Sequence, residues 1–146
     1  MEGEHMTRVQ QILEAIAAAI DAPGKPAGLV VITSRRIPSS AERFVAVFPM
    51  QDKPAENEAP PRTRVAARRF LSVAVVCRCA GSDIDNEILR DWTVSRILKS
   101  TTLEGIASRV IETVTDWQGE LDSQNTYSIA VTQFLVEYAR PITSLS

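Results

Sequence analysis

The segment RRFLSVAVVCRCAG at residues 68–81 alternates its side chains as a β-strand does. One face carries only apolar side chains and the two cysteines, namely Leu71, Val73, Val75, Cys77 and Cys79. Cysteine is among the most buried residue types, so we interpret both thiols as small hydrophobic residues that continue this stripe. The segment therefore predicts a half-buried strand.

Chemistry at the two cysteines is disfavoured by the rest of the sequence. Cys77 and Cys79 are the only cysteines, and the only histidine is His5. A zinc site would need carboxylates beside soft thiolates, and a disulfide two residues apart would strain the strand. Histidine-based triads are excluded, and no G-x-G-x-x-G, G-x-x-x-x-G-K-[ST] or H-E-x-x-H motif is present. We therefore predict no enzymatic activity, no metal and no cofactor.

Three elements are predicted before this strand. The first is a helix over residues 7–22, capped by Thr7, with apolar residues at three- and four-residue spacing: Val9, Ile12, Leu13, Ile16 and Ile20. Two β-branched segments follow, GLVVITSRRI at residues 28–37 and ERFVAVFPM at residues 42–50, and both predict strands. In the second strand, one face carries Phe44, Ala46 and Phe48.

Residues 51–64, QDKPAENEAPPRTR, break every periodicity and carry prolines but no aromatic residue. Such a segment cannot bury enough surface to offset its ordering entropy, so we predict a mobile loop between two strands. Its charge changes sign, from Asp52, Glu56 and Glu58 to Arg62 and Arg64. It is either a solvated linker or a protrusion that orders against a partner.

After residue 81 the apolar period changes from two to 3.6. Ser82 and Asp85 form a capping pair for a helix that runs to about residue 99, with the apolar stripe Ile84, Ile88 and Trp92. The carboxylates of its first turns favour the helix dipole, which explains Asp83, Asp85, Glu87 and Asp91 better than an active site does.

A second capping box, Thr101 with Glu104, predicts another helix over residues 101–117 that ends at Gly119. Its stripe is Leu103, Ile106, Ala107, Val110, Ile111, Val114 and Trp117. We expect both tryptophans to be core anchors, although a tryptophan near a helix end can also bury in an interface. A turn at residues 122–125 precedes a final strand, TYSIAVTQFLVEY, which Pro141 ends.

The predicted element order is α-β-β-β-α-α-β, over residues 1–146 as one domain with a disordered tail at residues 1–6. Three successive strands favour an antiparallel meander. Helices segregated from them favour an α+β two-layer sandwich with a mostly antiparallel sheet of about four strands.

The composition is that of an ordinary globular protein, with 45% hydrophobic and 23% charged residues and a net charge of -2. This balance disfavours nucleic acid as a partner. No apolar run approaches the ~20 residues needed to cross a bilayer, so no membrane is expected. The acidic start lacks the apolar core of a signal peptide, which predicts the cytoplasm.

The segment RDWTVSRILKSTTLEGIASRV at residues 90–110, TDW at residues 115–117 and the element order together resemble the lambda-type tail terminator proteins of long-tailed phages and prophages, which are minor tail protein U-like. Members are similar in having an N-terminal helix, a mixed sheet, a paired helical segment running into L-x-G-[IL]-A, and a final strand ending in an aromatic residue and a proline. The resemblance spans residues 7–141.

The resemblance implies a structural, non-enzymatic virion protein. Members form a six-fold ring on the growing tail tube, stop its polymerisation and present a surface to the head-tail joining protein. The implied partners are other copies of this chain, the tail tube protein and the joining protein, in the virion tail after assembly in the host bacterial cytoplasm. The expected interface residues are Arg35, Arg36, Asp52, Lys53, Glu56, Arg62 and Arg64. Charge reversal of Arg62 and Arg64 is expected to abolish ring formation with the fold intact.

Two alternatives stay open. One is a head-tail connector or other tail completion protein, which also forms rings. The other is an RNA-binding α+β module, which exposed aromatics on the middle strands would favour. Phe44, Phe48 and Phe70 are the candidates, and we expect them to be core.

Overall fold

The computed structural model describes residues 6–35, 41–55, 66–121 and 126–141, which hold two helices and five strands. The helices are α1 (Arg8–Ile20) and α2 (Asp83–Ile97). The strands are β1 (Leu29–Ile32), β2 (Arg43–Pro54), β3 (Ala66–Ala80), β4 (Arg109–Leu121) and β5 (Thr126–Pro141). The α+β class is confirmed, whereas the order of the last elements is α-β-β and not α-α-β.

The five strands form one mixed sheet in the order β1-β2-β3-β5-β4. The β1–β2 pair is parallel, and the other three pairs are antiparallel. The prediction of about four strands that begin with an antiparallel meander is therefore wrong. Residues 33–42 connect β1 to β2, and a connection of this length can return the chain to the same end of the sheet.

The helix predicted over residues 101–117 is absent, and β4 takes most of its place. Leu103, Glu104 and Gly105 have φ angles of 50°, 59° and 91°, which a right-handed helix does not allow. The residues that follow are rich in β-branched side chains, which favour a strand: Val110, Ile111, Thr113, Val114 and Thr115. Gly119 accordingly lies within the strand and ends no helix.

A bulge interrupts the alternation of β4, and apolar residues lie on both of its faces. The pairing with β5 shifts register between Glu112 and Val114. The residues paired with the helix-facing positions of β5 are therefore separated by two or three positions: Val110, Glu112, Thr115 and Trp117. The predicted helical stripe instead combines the two faces of the strand, because Ile111 and Val114 pair with Leu135 and Gln133 on the side away from the helices.

One face of the sheet packs against both helices in a single core. This core contains Ile12 and Ile16 of α1, Leu89 and Ile97 of α2, and the β3 stripe predicted from the sequence. Cys77 and Cys79 are buried within it, which confirms their interpretation as hydrophobic residues. Burial raises the pKa of the Cys77 thiol to about 12, so the thiol stays protonated at neutral pH.

The start of α1 is built as the sequence predicts. The hydroxyl of Thr7 accepts a hydrogen bond from the Gln10 amide at 3.1 Å, and the Gln10 side chain accepts one from the Thr7 amide at 2.9 Å. These two bonds form a capping box. The predicted apolar stripe supplies all the buried residues of the helix, and these are Ile12, Leu13, Ile16 and Ile20.

The predicted loop at residues 51–64 begins later than expected, because β2 continues to Pro54. Asp52 pairs with Leu71 and Lys53 with Phe70 across the β2–β3 ladder. Residues 56–64, the N-terminal residues 1–5 and the turn at residues 122–125 lie outside the described residues. Neither helix in the described ranges is both long and apolar enough to cross a membrane.

Candidate interaction surfaces

The helix α2 exposes the side chains that the sequence predicted to be buried. Its buried residues are Asn86, Leu89, Thr93 and Ile97. Ile84 and Ile88 are 73% and 69% exposed, and Trp92 is half-buried against the core. The helix is therefore present where expected, but its predicted apolar face is wrong.

The side chain of Asn86 explains this orientation. Its amide donates hydrogen bonds to the carbonyl of Cys77 at 2.9 Å and to the carbonyl of Ser128 at 3.0 Å. These bonds hold the face of α2 that carries Asn86 against β3 and β5. Ile84 and Ile88 are each two positions away, about 200° around a helix of 3.6 residues per turn, so both face away from the sheet.

The same contacts place the carboxylates at the start of α2. Asp83 accepts a hydrogen bond from the Ser128 hydroxyl at 2.5 Å, and Asp85 closes the predicted capping box with Ser82. The exposed face of the helix then combines two isoleucines with four exposed acidic residues. We call this surface the acidic stripe, and it consists of Asp83, Ile84, Asp85, Glu87, Ile88 and Asp91.

The edge strand β4 extends the acidic stripe. Trp117 is 41% exposed and lines a shallow pocket with Ile84 and Glu87, so its prediction as a core anchor is wrong. Arg90 lies beside it and donates to Asp91 at 2.5 Å and to Glu112 at 3.3 Å. Arg90 therefore neutralises part of the negative charge of Asp91 and Glu112, and the acidic stripe keeps an excess of carboxylates.

The opposite face of the sheet is packed by neither α1 nor α2. Phe44, Ala46 and Val76 form a small buried cluster there, with Phe48 packed against it. Phe44 is fully buried, which confirms it as core, whereas Phe48 and Phe70 are only half-buried. Aromatic rings are thus partly accessible on this face, which we call the helix-free face.

Arginines lie over these two rings. The guanidinium of Arg35 is 4.4 Å from the Phe48 ring centroid and donates to the carbonyl of Pro49 at 2.7 Å. That of Arg68 is 5.8 Å from the Phe70 ring and forms an ion pair with Glu137 at 3.4 Å. Such stacking orients a cation on an apolar surface.

A second surface is thereby defined, which we call the basic end. It combines exposed basic side chains with aromatic ones on the helix-free face, and consists of Arg35, Phe48, Lys53, Arg68, Phe70 and Arg109. Glu137 is the acidic residue paired with it, held by Arg68 and Arg109. Of the residues predicted at an interface, the structure brings Arg35 and Lys53 to this surface.

Asp52 lies on the other face of the sheet and is engaged internally. One of its oxygens is 3.2 Å from Nε of Arg69, and the other accepts a hydrogen bond from the Tyr138 hydroxyl at 2.8 Å. Burial, and then the Asp52 carboxylate, raise the pKa of Tyr138. Asp52 therefore supports the end of the sheet. The other predicted interface residues, Arg36, Glu56, Arg62 and Arg64, lie outside the described residues.

No group of three or more His, Cys, Asp or Glu side chains that could hold a metal ion occurs in the described ranges. The chain matches no protein-family model, and no curated protein matches it. The acidic stripe, the basic end and the sequence pattern are therefore the grounds for a proposed function.

Proposed function

We propose that this protein is a ring-forming structural protein of a phage or prophage tail. It caps the tail tube, ends tube polymerisation and offers a joining surface to the head, as the sequence resemblance implies. One observation carries the proposal, namely the exposure of Ile84 and Ile88 beside the half-exposed Trp117. Clustered exposed apolar side chains mark surfaces that dock onto another protein.

A terminator ring needs different chemistry on its different faces. The helix layer presents the acidic stripe, and the helix-free face presents aromatic rings with arginines over them. A chain with two unlike surfaces can bind a neighbour and a second type of partner at once. This asymmetry supports an assembly protein over a protein that acts as a lone monomer.

Polymerising tail tube protein gives the direct test. Tubes are grown with and without this protein, and their lengths are measured by negative-stain electron microscopy. We expect tubes that stop growing, with a ring at one end whose hole is about as wide as the tube. Tubes that elongate equally at every ratio of the two proteins would contradict the terminator function.

A head-tail connector would form similar rings with a different target. Binding to isolated heads in the absence of tubes would favour the connector over the terminator. The comparison requires only that the same purified protein be mixed with heads and with tubes in parallel.

RNA binding is a second candidate, and the half-buried Phe48 and Phe70 on the helix-free face favour it. Bases stack on such rings in sheet-based RNA-binding modules, and arginines contribute phosphate contacts. The test is fluorescence anisotropy of labelled single-stranded RNA with the wild type and with Phe48→Ala and Phe70→Ala. Binding that both substitutions weaken would support this candidate, and no binding at low salt would remove it.

A further inference from the structure

We propose that the acidic stripe of one copy docks onto the basic end of the next copy, head to tail. The inference rests on the proposed function, because it names the lateral contact of the ring. Its partner is a second copy of this chain, identified by the opposite charge and shared apolar character of the two surfaces.

The acidic stripe has the anatomy of a protein interface. Its centre is apolar and protrudes, since Ile84 and Ile88 lie one turn apart and are about two-thirds exposed or more. Its rim is mainly acidic, with Asp83, Asp85 and Glu87, and with Asp91 ion-paired to Arg90. An apolar centre with a polar rim is the usual arrangement at protein–protein contacts.

The basic end is complementary in both respects. Its apolar part is formed by the half-buried rings of Phe48 and Phe70. A groove beside Phe70, lined also by Lys53 and Leu135, offers space for an aliphatic side chain. Basic side chains surround this apolar part, so a carboxylate rim meets positive charge on docking.

The placement of the two surfaces favours a head-to-tail contact over a symmetric pair. The acidic stripe lies on the helix layer, where Ile84 and Glu87 meet Trp117 at the level of Cys77 in β3, whereas the basic end lies on the other sheet face around Phe70. Two surfaces that do not overlap give a heterologous contact, which closes into a ring when the rotation between copies allows it. Two acidic stripes facing each other would repel.

Charge reversal tests the contact. One variant carries Glu87→Lys and Asp91→Lys, and the other carries Arg35→Glu and Lys53→Glu. Self-association is measured by light scattering and analytical ultracentrifugation at low salt and high protein concentration. Each variant alone should associate at least about tenfold more weakly than the wild type, because like charges then meet. Thermal unfolding verifies that both variants are folded.

An equimolar mixture of the two variants provides the decisive measurement. One variant then has two basic surfaces and the other two acidic ones, so alternating copies restore every contact. Association of the mixture should return to the wild-type level. Matched controls are Glu14→Lys on α1 and Lys99→Glu, whose exposed side chains lie outside both surfaces and should leave association unchanged.

The inference is overturned if the wild type does not associate, if the single variants associate as the wild type does, or if the folded variants fail to restore association when mixed. The proposed function fails differently. Charge-dependent association that never gives closed rings or capped tubes would retain the contact and overturn the terminator. Rings that still form after charge reversal would retain the terminator function and overturn the proposed contact.

Discussion

The two helices in the described part of the chain are held to the sheet by different forces. The apolar stripe of α1 points into the core, and all four of its buried residues are Leu or Ile. α2 instead buries Asn86 and Thr93 and turns Ile84 and Ile88 to solvent. Hydrophobic burial therefore positions α1, whereas hydrogen bonds to strand carbonyls help to position α2. The apolar side chains of α2 are left for a partner.

The difference between the core-facing stripe of α1 and the exposed stripe of α2 is tested most directly by truncating one isoleucine on each helix. Ile16→Ala leaves a cavity in the core and is expected to lower the free energy of unfolding by about 2–5 kcal/mol. Ile88→Ala removes the same atoms from the exposed face and should change it by no more than about 0.5 kcal/mol. Urea unfolding followed by circular dichroism measures both. Similar losses in the two variants would show that the outer face of α2 is not solvent-exposed.

The second prediction concerns the amide that holds α2. Asn86→Ala removes the donor to the carbonyls of Cys77 and Ser128, and is expected to cost about 2–3 kcal/mol of stability. The neighbouring Glu87→Ala is the control, because its side chain is exposed and should cost little. Denaturant unfolding of both variants measures the difference. A neutral Asn86→Ala would mean that leucine and isoleucine packing alone holds this helix.

How much of this could be predicted from the sequence differs along the chain. The predictions of β3 and α1 are confirmed. Their strongest local signals, strict alternation in β3 and a capped apolar stripe in α1, agree with their tertiary environment. The capping box of α2 is also correct. The stripe Asn86, Leu89, Thr93 and Ile97 has equally regular helical spacing, but two polar members hide it from a count of apolar residues.

β4 could not be assigned by periodicity, because apolar residues lie on both of its faces: Val110 and Trp117 face the helices, whereas Ile111 and Val114 face away. A better signal in the sequence is Gly105, which disfavours a helix interior, followed by the β-branched side chains that dominate residues 110–115. The basic end was only partly predictable. The charges of Arg35 and Lys53 are enough to predict them as interface residues. Their proximity to Phe48 and Phe70 depends instead on the pairing of strands distant in sequence.

The third prediction concerns pH and the core that both helices share. The Cys77 pKa is raised from 9.0 to about 12 in the folded protein, so the folded state retains a proton that the unfolded state loses. The stabilisation is complete below pH 9 and falls as pH rises toward 12, by at most about 1.4 kcal/mol per pH unit. Cys77→Val should flatten this alkaline slope, measured by urea unfolding at several pH values. Val75→Ala, which has no thiol to titrate, should keep the slope while lowering stability throughout.

The smallest effect on stability is expected for substitutions on the exposed face of α2, although their effect on assembly should be large. Ile84→Ser combined with Ile88→Ser removes apolar surface that is already in water, so the free energy of unfolding should change by no more than about 0.5 kcal/mol. Self-association should nevertheless fall, because the docking surface loses its apolar centre. The control Ala18→Ser lies on the exposed side of α1 and should alter neither quantity. If the double variant associated as the wild type does, the exposed isoleucines would have no partner in another copy, and the contrast between the two helices would concern folding alone.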